Sequence, residues 1–169
     1  MAKQDANNYW EQLERLEKLI RASELKAGVI FSFHSLILGL FFDRLDQFKD
    51  MFVEYNTLLV LSLSWFVFVA VSLFFCFKCF NPTLEMSYDS NVFFFRDAAK
   101  KFGTTEEYVE ALLHICGSEE KFYKALAEQI HAESKIIDAK FKNVRRSILF
   151  FAISFFCVFL IAVFWLFYT

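Results

Sequence analysis

Proline occurs once and glycine four times in 169 residues, so the chain has little of the punctuation on which loop-rich soluble domains depend. A bias toward one charge sign is missing too. Eighteen Lys and Arg against 20 Asp and Glu leave no basic footprint, which excludes a nucleic-acid binder. The four cysteines do not make a disulfide scaffold. Cys76 and Cys79 form a CxxC pair with no second pair at zinc-finger spacing, and Cys116 and Cys157 stand alone. They read as small apolar filler, ahead of a metal site or lipidation of Cys79. No GxSxG, glycine-rich phosphate loop, HExxH or EF-hand loop occurs, so the chain shows no catalytic or metal motif. What it does hold is apolar mass. Hydrophobic residues make up 57%, with 25 phenylalanines, and they are gathered in blocks. Such a composition points to a membrane.

Three blocks are candidate spans. Ala27–Phe42 carries no Asp, Glu, Lys or Arg, and its 16 residues make a helix somewhat short of a hydrocarbon core of about 30 Å. Leu25 can extend it, and Lys26 can snorkel to the headgroups. Thr57–Phe77 and Ile148–Tyr168 are 21 residues each. The expected division is therefore 1–26 cytosolic amphipathic helix, 27–42 first span, 43–56 extracytoplasmic loop, 57–77 second span, 78–147 cytosolic helical region and 148–168 third span. With three spans, 16 of the 18 cations fall on one side, because only Arg44 and Lys49 lie in 43–56. By the positive-inside rule that side is the cytoplasm, and Thr169 ends outside. No secretory signal is visible.

The polar parts also read as helix. Tyr9, Leu13, Leu16, Ile20, Ser23 and Ala27 recur at steps of four and three, a coiled-coil spacing that enters the first span unbroken. The seam suits packing on the protein's own helices or oligomerisation. Asn91–Phe102 forms a short amphipathic helix. Thr104 and Glu107 form a capping box that opens a helix with Tyr108, Val109, Leu112 and Leu113 as its inner face. Gly117 closes it. Beyond Ser118 neither Gly nor Pro recurs, so one helix of nearly 50 residues is expected to run into the third span. The fold class is an all-α membrane protein with three transmembrane helices continuous with a small cytosolic helical bundle.

His114 and His131 read as surface or interface residues. His34 falls inside the first span, where an ionisable residue is a functional candidate. It suits a hydrogen bond to Ser62, Ser64 or Ser72, or the lining of a pore or gate. Gly28, Ser32, Ser35 and Gly39 form a stripe of small residues, a helix-packing face within one chain or between copies. The aromatic load of the third span reads as lipid-facing and interfacial surface.

Three segments, taken with the layout of helix, two spans, helical insert and final span, carry a resemblance. Ser23–Ala27, with Glu24 and Lys26, resembles the acidic-x-Lys-Ala/Ser membrane entrance of the Pycsar transmembrane effectors. Asn91–Asp97 resembles their FF-x-D-like segment, and Lys135–Arg146 resembles their basic run before the last span. The resemblance implies a bacterial anti-phage effector of the inner membrane, not an enzyme. It implies activation by cyclic CMP or cyclic UMP from a partner cyclase, followed by loss of membrane integrity in abortive infection. A homo-oligomer in the lipid bilayer, with no cofactor beyond the activating nucleotide, fits this picture. A bound cyclic nucleotide needs cations or N–H groups for its phosphate and an aromatic face for its base. Arg96, Lys100 and Lys101 beside Phe93–Phe95 are one candidate set, and Lys140, Lys142, Arg145 and Arg146 beside Phe141 are another. An ordinary amphipathic helix already accounts for the first set, and membrane topology for the second, ahead of nucleotide binding. The alternative function is a scaffold membrane protein that recruits a partner through its cytosolic helices.

Overall fold

The computed structural model describes residues 5–81 and 90–168. Pro82, expected to end the second span, and the terminal Thr169 lie outside them. Among the described residues six helices follow in order: α1 (Ala6–Asp43), α2 (Leu45–Glu54), α3 (Asn56–Phe80), α4 (Phe95–Lys100), α5 (Thr105–Cys116) and α6 (Glu119–Tyr168). Among the described residues there is no strand. Helices α1, α3 and α6 are long and apolar enough to cross a membrane. The 50 residues of α6 correspond to about 75 Å of helix. Segment 43–56, expected as a loop, is largely the short helix α2, whose Phe52 packs against the apolar core.

The chain forms two compact units. One comprises residues 22–82 and 139–169. Its α3 buries Leu58, Ser62, Trp65, Val69, Ser72, Cys76 and Cys79, spaced four and three throughout. From α1 it buries Ser23, Ala27, Ile30 and His34, and from α6 Lys140, Val144, Ser147, Ser154, Cys157 and Ile161. Lipid is as apolar as leucine, so association of these helices relies on close packing and interhelical hydrogen bonds. The buried faces are accordingly rich in Ser and Cys. Large side chains such as Phe33, Leu36, Val67, Phe155, Phe156 and Phe159 point outward. The aromatic load of α6 is divided between two tasks. Phe150 stacks on Phe75, and Phe164 packs edge-on against Tyr55, so these rings join helices instead of facing lipid alone.

The other unit comprises residues 1–21 and 83–138. The α1 seam packs within the chain, with Leu16 buried and Tyr9 5.2 Å from Tyr123 between ring centroids. Within segment 91–97, Asn91 and Asp97 form a buried polar knot. The Asn91 N–H donates to Asp97 Oδ2 at 3.1 Å, Asn91 Nδ2 donates to the Ala125 carbonyl at 2.7 Å, and Phe93 N–H donates to Asn91 Oδ1 at 2.9 Å. Phe93 lies edge-on to Trp10 and Phe122. The capping box forms with one variation: Glu107 N–H donates to Thr104 Oγ1, while the Glu107 carboxylate accepts from Gly103 N–H at 2.7 Å. The expected inner face of α5 needs correction. Tyr108 and Leu112 are half-buried, but Val109 and Leu113 face outward, because Tyr108 anchors the helix by donating to the Val92 carbonyl.

Candidate functional site at a buried lysine

Lys140 is the most constrained cation in the apolar unit. Its side chain is 5% exposed, and its ammonium donates to Glu24 Oε1 at 2.7 Å and to the Cys79 carbonyl at 2.8 Å. Helix α3 ends at Phe80, so the Cys79 carbonyl is one of the last-turn acceptors without an intrahelical partner. A second acceptor, the Lys78 carbonyl, takes a 3.3 Å bond from Asn143 Nδ2. Cys79 Sγ lies 3.8 Å from the Ser23 carbonyl on α1. Positive side chains at a helix C-terminus also complement its dipole. Lys140 thus joins three helices, with a carboxylate from α1 and a carbonyl from α3 meeting on a side chain of α6.

Below this junction the α3–α6 packing is secured by a reciprocal pair. Ser72 Oγ donates to the Ser147 carbonyl and Ser147 Oγ donates to the Ser72 carbonyl, both at 3.0 Å, with Cys76 Sγ 3.0 Å from Ser147 Oγ. Around the junction, the Lys26 ammonium lies 5.7 Å from the Phe141 ring centroid, and the Arg146 guanidinium 5.5 Å from that of Phe75.

The structure therefore regroups the candidate residues. Glu24 and Lys140, assigned separately to the membrane entrance and to a nucleotide cluster, are partners. Lys142 and Arg145 are exposed beside them. In the other unit Arg96 and Lys100 are exposed, while Lys101 lies 3.9 Å from the largely buried Asp97. The small-residue stripe faces outward: Ser32, Ser35 and Gly39 are exposed or half-exposed, Gly28 is partly so, and both serines bond carbonyls of their own helix. A shallow groove with about 630 Å³ of space runs past Gly28 and Ser32. His34 occupies a different face and is buried, with its ring edge-on to Phe151 at 5.0 Å. The expected hydrogen bond from His34 to a serine is not made. Ser72 is committed to Ser147 and Ser64 bonds its own helix, while His34 Nε2 and Ser62 Oγ have no partner.

Several contributors carry little signal in the sequence. Asn91 lies inside a noted segment, but nothing separates it there from the aromatic residues, whereas Asp97 is the acidic position of the FF-x-D-like motif. Ser147 carries one signal, a lone hydroxyl beside the last span. In the polar unit, burial raises the Glu133 carboxyl above its ordinary pKa, opposed by a 2.6 Å hydrogen bond from Gln129 and reinforced by the Glu17 charge. Among the described residues no group of His, Cys, Asp and Glu is arranged to hold a metal.

The model of the PycTM family, a Pycsar effector protein domain, matches residues 8–167. The Pycsar effector protein PtPycTM of Propioniciclava tarda is 30% identical over 159 residues, covering 90% of this chain and 76% of the relative. No solved structure matches the chain. With the match running from the first helix to the end of the third apolar one, the chain belongs to the PycTM family of Pycsar effectors.

Proposed function

We propose that this chain is the membrane-acting arm of a bacterial anti-phage system. A partner cyclase makes cyclic CMP or cyclic UMP on infection, the nucleotide activates the effector, and active copies impair the inner membrane so that the cell halts before phage mature. Family membership supports the effector role, and three helices of spanning length support the bilayer as its target. On this reading segments 1–26 and 78–147 face the cytoplasm, and 43–56 and the C-terminus face outside.

The observation that carries the reading is the Lys140 junction. A charged bond shared by three helices is discrete, either made or broken, so it provides the two arrangements a switch needs. With Lys140 held by Glu24, the exposed Arg96, Lys100 and Arg145 are the cations to examine for the nucleotide phosphate. Moving a closed-to-open ratio from 99:1 to 1:99 takes about 5.5 kcal/mol of differential binding. Several charged groups, or nucleotides shared across an oligomer, supply that amount.

The test is membrane potential in cells expressing the chain, with and without an active co-expressed cyclase. Depolarisation only with the active cyclase supports the reading. No depolarisation, despite verified insertion and nucleotide production, refutes it, and a scaffold that recruits partners through its polar helices takes its place.

A further inference from the structure

Two places in the unit formed by residues 1–21 and 83–138 leave large apolar side chains in the open on helices too short to cross a bilayer. Phe95 is 79% exposed at the start of α4, although Phe94 before it and Asp97 after it are buried. Its neighbours Arg96 and Lys100 are also exposed and lie one helical turn apart. On α5, Val109 and Leu113 are 43% and 67% exposed. Glu106 and Glu110 interleave with them, so positions 106, 109, 110 and 113 make one face that alternates carboxylate and apolar groups. An open groove with about 860 Å³ of space follows this face. Among the described residues none of Arg96, Lys100, Glu106 and Glu110 takes part in an ion pair.

The two patches match. Each sets exposed apolar side chains beside a pair of like charges, the two patches carry opposite charge, and the i, i+4 spacing of the two cations equals that of the two carboxylates. Folding accounts for Asn91, Phe94 and Asp97 of the same segment, which are buried, but not for Phe95. We infer that the patches are the two halves of an interface between copies of this chain: Phe95, Arg96 and Lys100 of one copy dock on Glu106, Val109, Glu110 and Leu113 of the next. Because the halves differ, the interface is heterologous and builds a ring or an open array instead of closing as a two-fold dimer. Patches this small hold weakly between free molecules. Copies confined to a bilayer meet at a much higher effective concentration, which makes a weak interface sufficient.

The test uses the full chain in phosphatidylcholine vesicles, carrying Cys116→Ser because Cys116 is the exposed cysteine while Cys76, Cys79 and Cys157 are buried. Copies with Lys100→Cys are mixed with copies with Glu110→Cys and oxidised. Mixed-pair cross-links exceeding either like pair at least tenfold are expected. In parallel, energy transfer between labelled copies should fall at least fivefold with Glu106→Lys/Glu110→Lys, fall equally with Arg96→Glu/Lys100→Glu, and return when all four changes are combined. These exposed positions leave the core untouched, and unchanged helicity of each variant verifies that. The rescue also separates self-association from phosphate binding, because reversing the carboxylates cannot restore a phosphate site that depended on Arg96 and Lys100. Equal mixed and like cross-links, or energy transfer indifferent to the reversals, overturns the inference. If instead Arg96→Glu/Lys100→Glu abolishes attachment of residues 95–100 to anionic vesicles while energy transfer persists, the basic patch serves lipid and the inference fails.

Discussion

Replacing Glu24 with Gln removes the negative charge facing Lys140 while keeping the side chain's size and one carbonyl acceptor. Breaking a buried ion pair by removing one partner costs about 3–5 kcal/mol. Three features lower the figure here: Glu24 is 40% exposed, Lys140 keeps the Cys79 carbonyl, and glutamine still accepts a hydrogen bond. The remaining loss is about 1.5–3 kcal/mol, the range for a hydrogen bond to a charged group. If the bond exists only in the closed arrangement, a loss of about 2.7 kcal/mol is two decades of equilibrium constant, which turns a ratio of about 99:1 into near equality. The assay is dye release from vesicles containing the purified full chain, without nucleotide. Glu24→Gln should leak where the wild type is tight, and its unfolding midpoint in detergent should fall. Combining Glu24→Lys with Lys140→Glu should recover only part of the loss, because the new carboxylate at 140 faces the Cys79 carbonyl and repels it. Leakage and unfolding midpoint both equal to wild type, with normal insertion, would refute the junction as a closed-state bond.

Asn91→Ala should destabilise the polar unit by about 1–3 kcal/mol, since it strands the Phe93 N–H and removes the bond to the Ala125 carbonyl of α6, whereas Arg96→Ala should stay within about 0.5 kcal/mol; thermal unfolding of the full chain compares them. Glu133 has a raised pKa in the folded state, so the protonated carboxyl favours folding: stability should be full below its unfolded pKa and fall as pH rises through the folded value. Glu133→Gln should flatten that step in a pH series of unfolding midpoints, and an unchanged slope would dissociate it from Glu133. His34→Leu should be neutral or stabilising by up to about 1–2 kcal/mol, because it replaces a buried ring nitrogen that has no partner. A large drop in unfolding midpoint would mean that the ring nitrogen is bonded after all.

How much of this was legible depends on the solvent each helix meets. In the polar unit water sets the pattern, so the α1 seam from Tyr9 to Ile20 and the Thr104–Glu107 capping box could be read directly from spacing. Val109 and Leu113 obey the same period, yet their outward direction depends on the Tyr108–Val92 bond, which local sequence does not encode. In the apolar unit hydropathy loses its meaning as a guide to burial, because both faces of α3 are hydrophobic. Its inner face is marked instead by the small and polar residues Ser62, Ser72, Cys76 and Cys79. On α1 that marker is ambiguous. Ser23–Ala27–His34 and Gly28–Ser32–Ser35–Gly39 both have small residues at helical spacing, and only the first set is buried in the chain.

The Glu24–Lys140 pair was illegible for a more general reason. Its members are separated by 116 residues and each had a sufficient local explanation, Glu24 as part of an entrance motif and Lys140 as one of many cations ahead of the last span. The structure distinguishes them by cost. An exposed cation near a membrane needs no partner, and surface pairs contribute only about 0–1 kcal/mol. A buried ammonium without acceptors would be strongly destabilising, and hydrophobic residues of similar volume often serve stability as well as a buried pair. A polar bond that stability alone does not require is better suited to defining one arrangement against another. Interhelical hydrogen bonds within lipid average only about 0.6 kcal/mol, so the Ser72–Ser147 pair holds the helices together without committing them to a state. The charged junction, several-fold stronger and placed where α3 ends, is large enough to set a closed population and discrete enough to be undone.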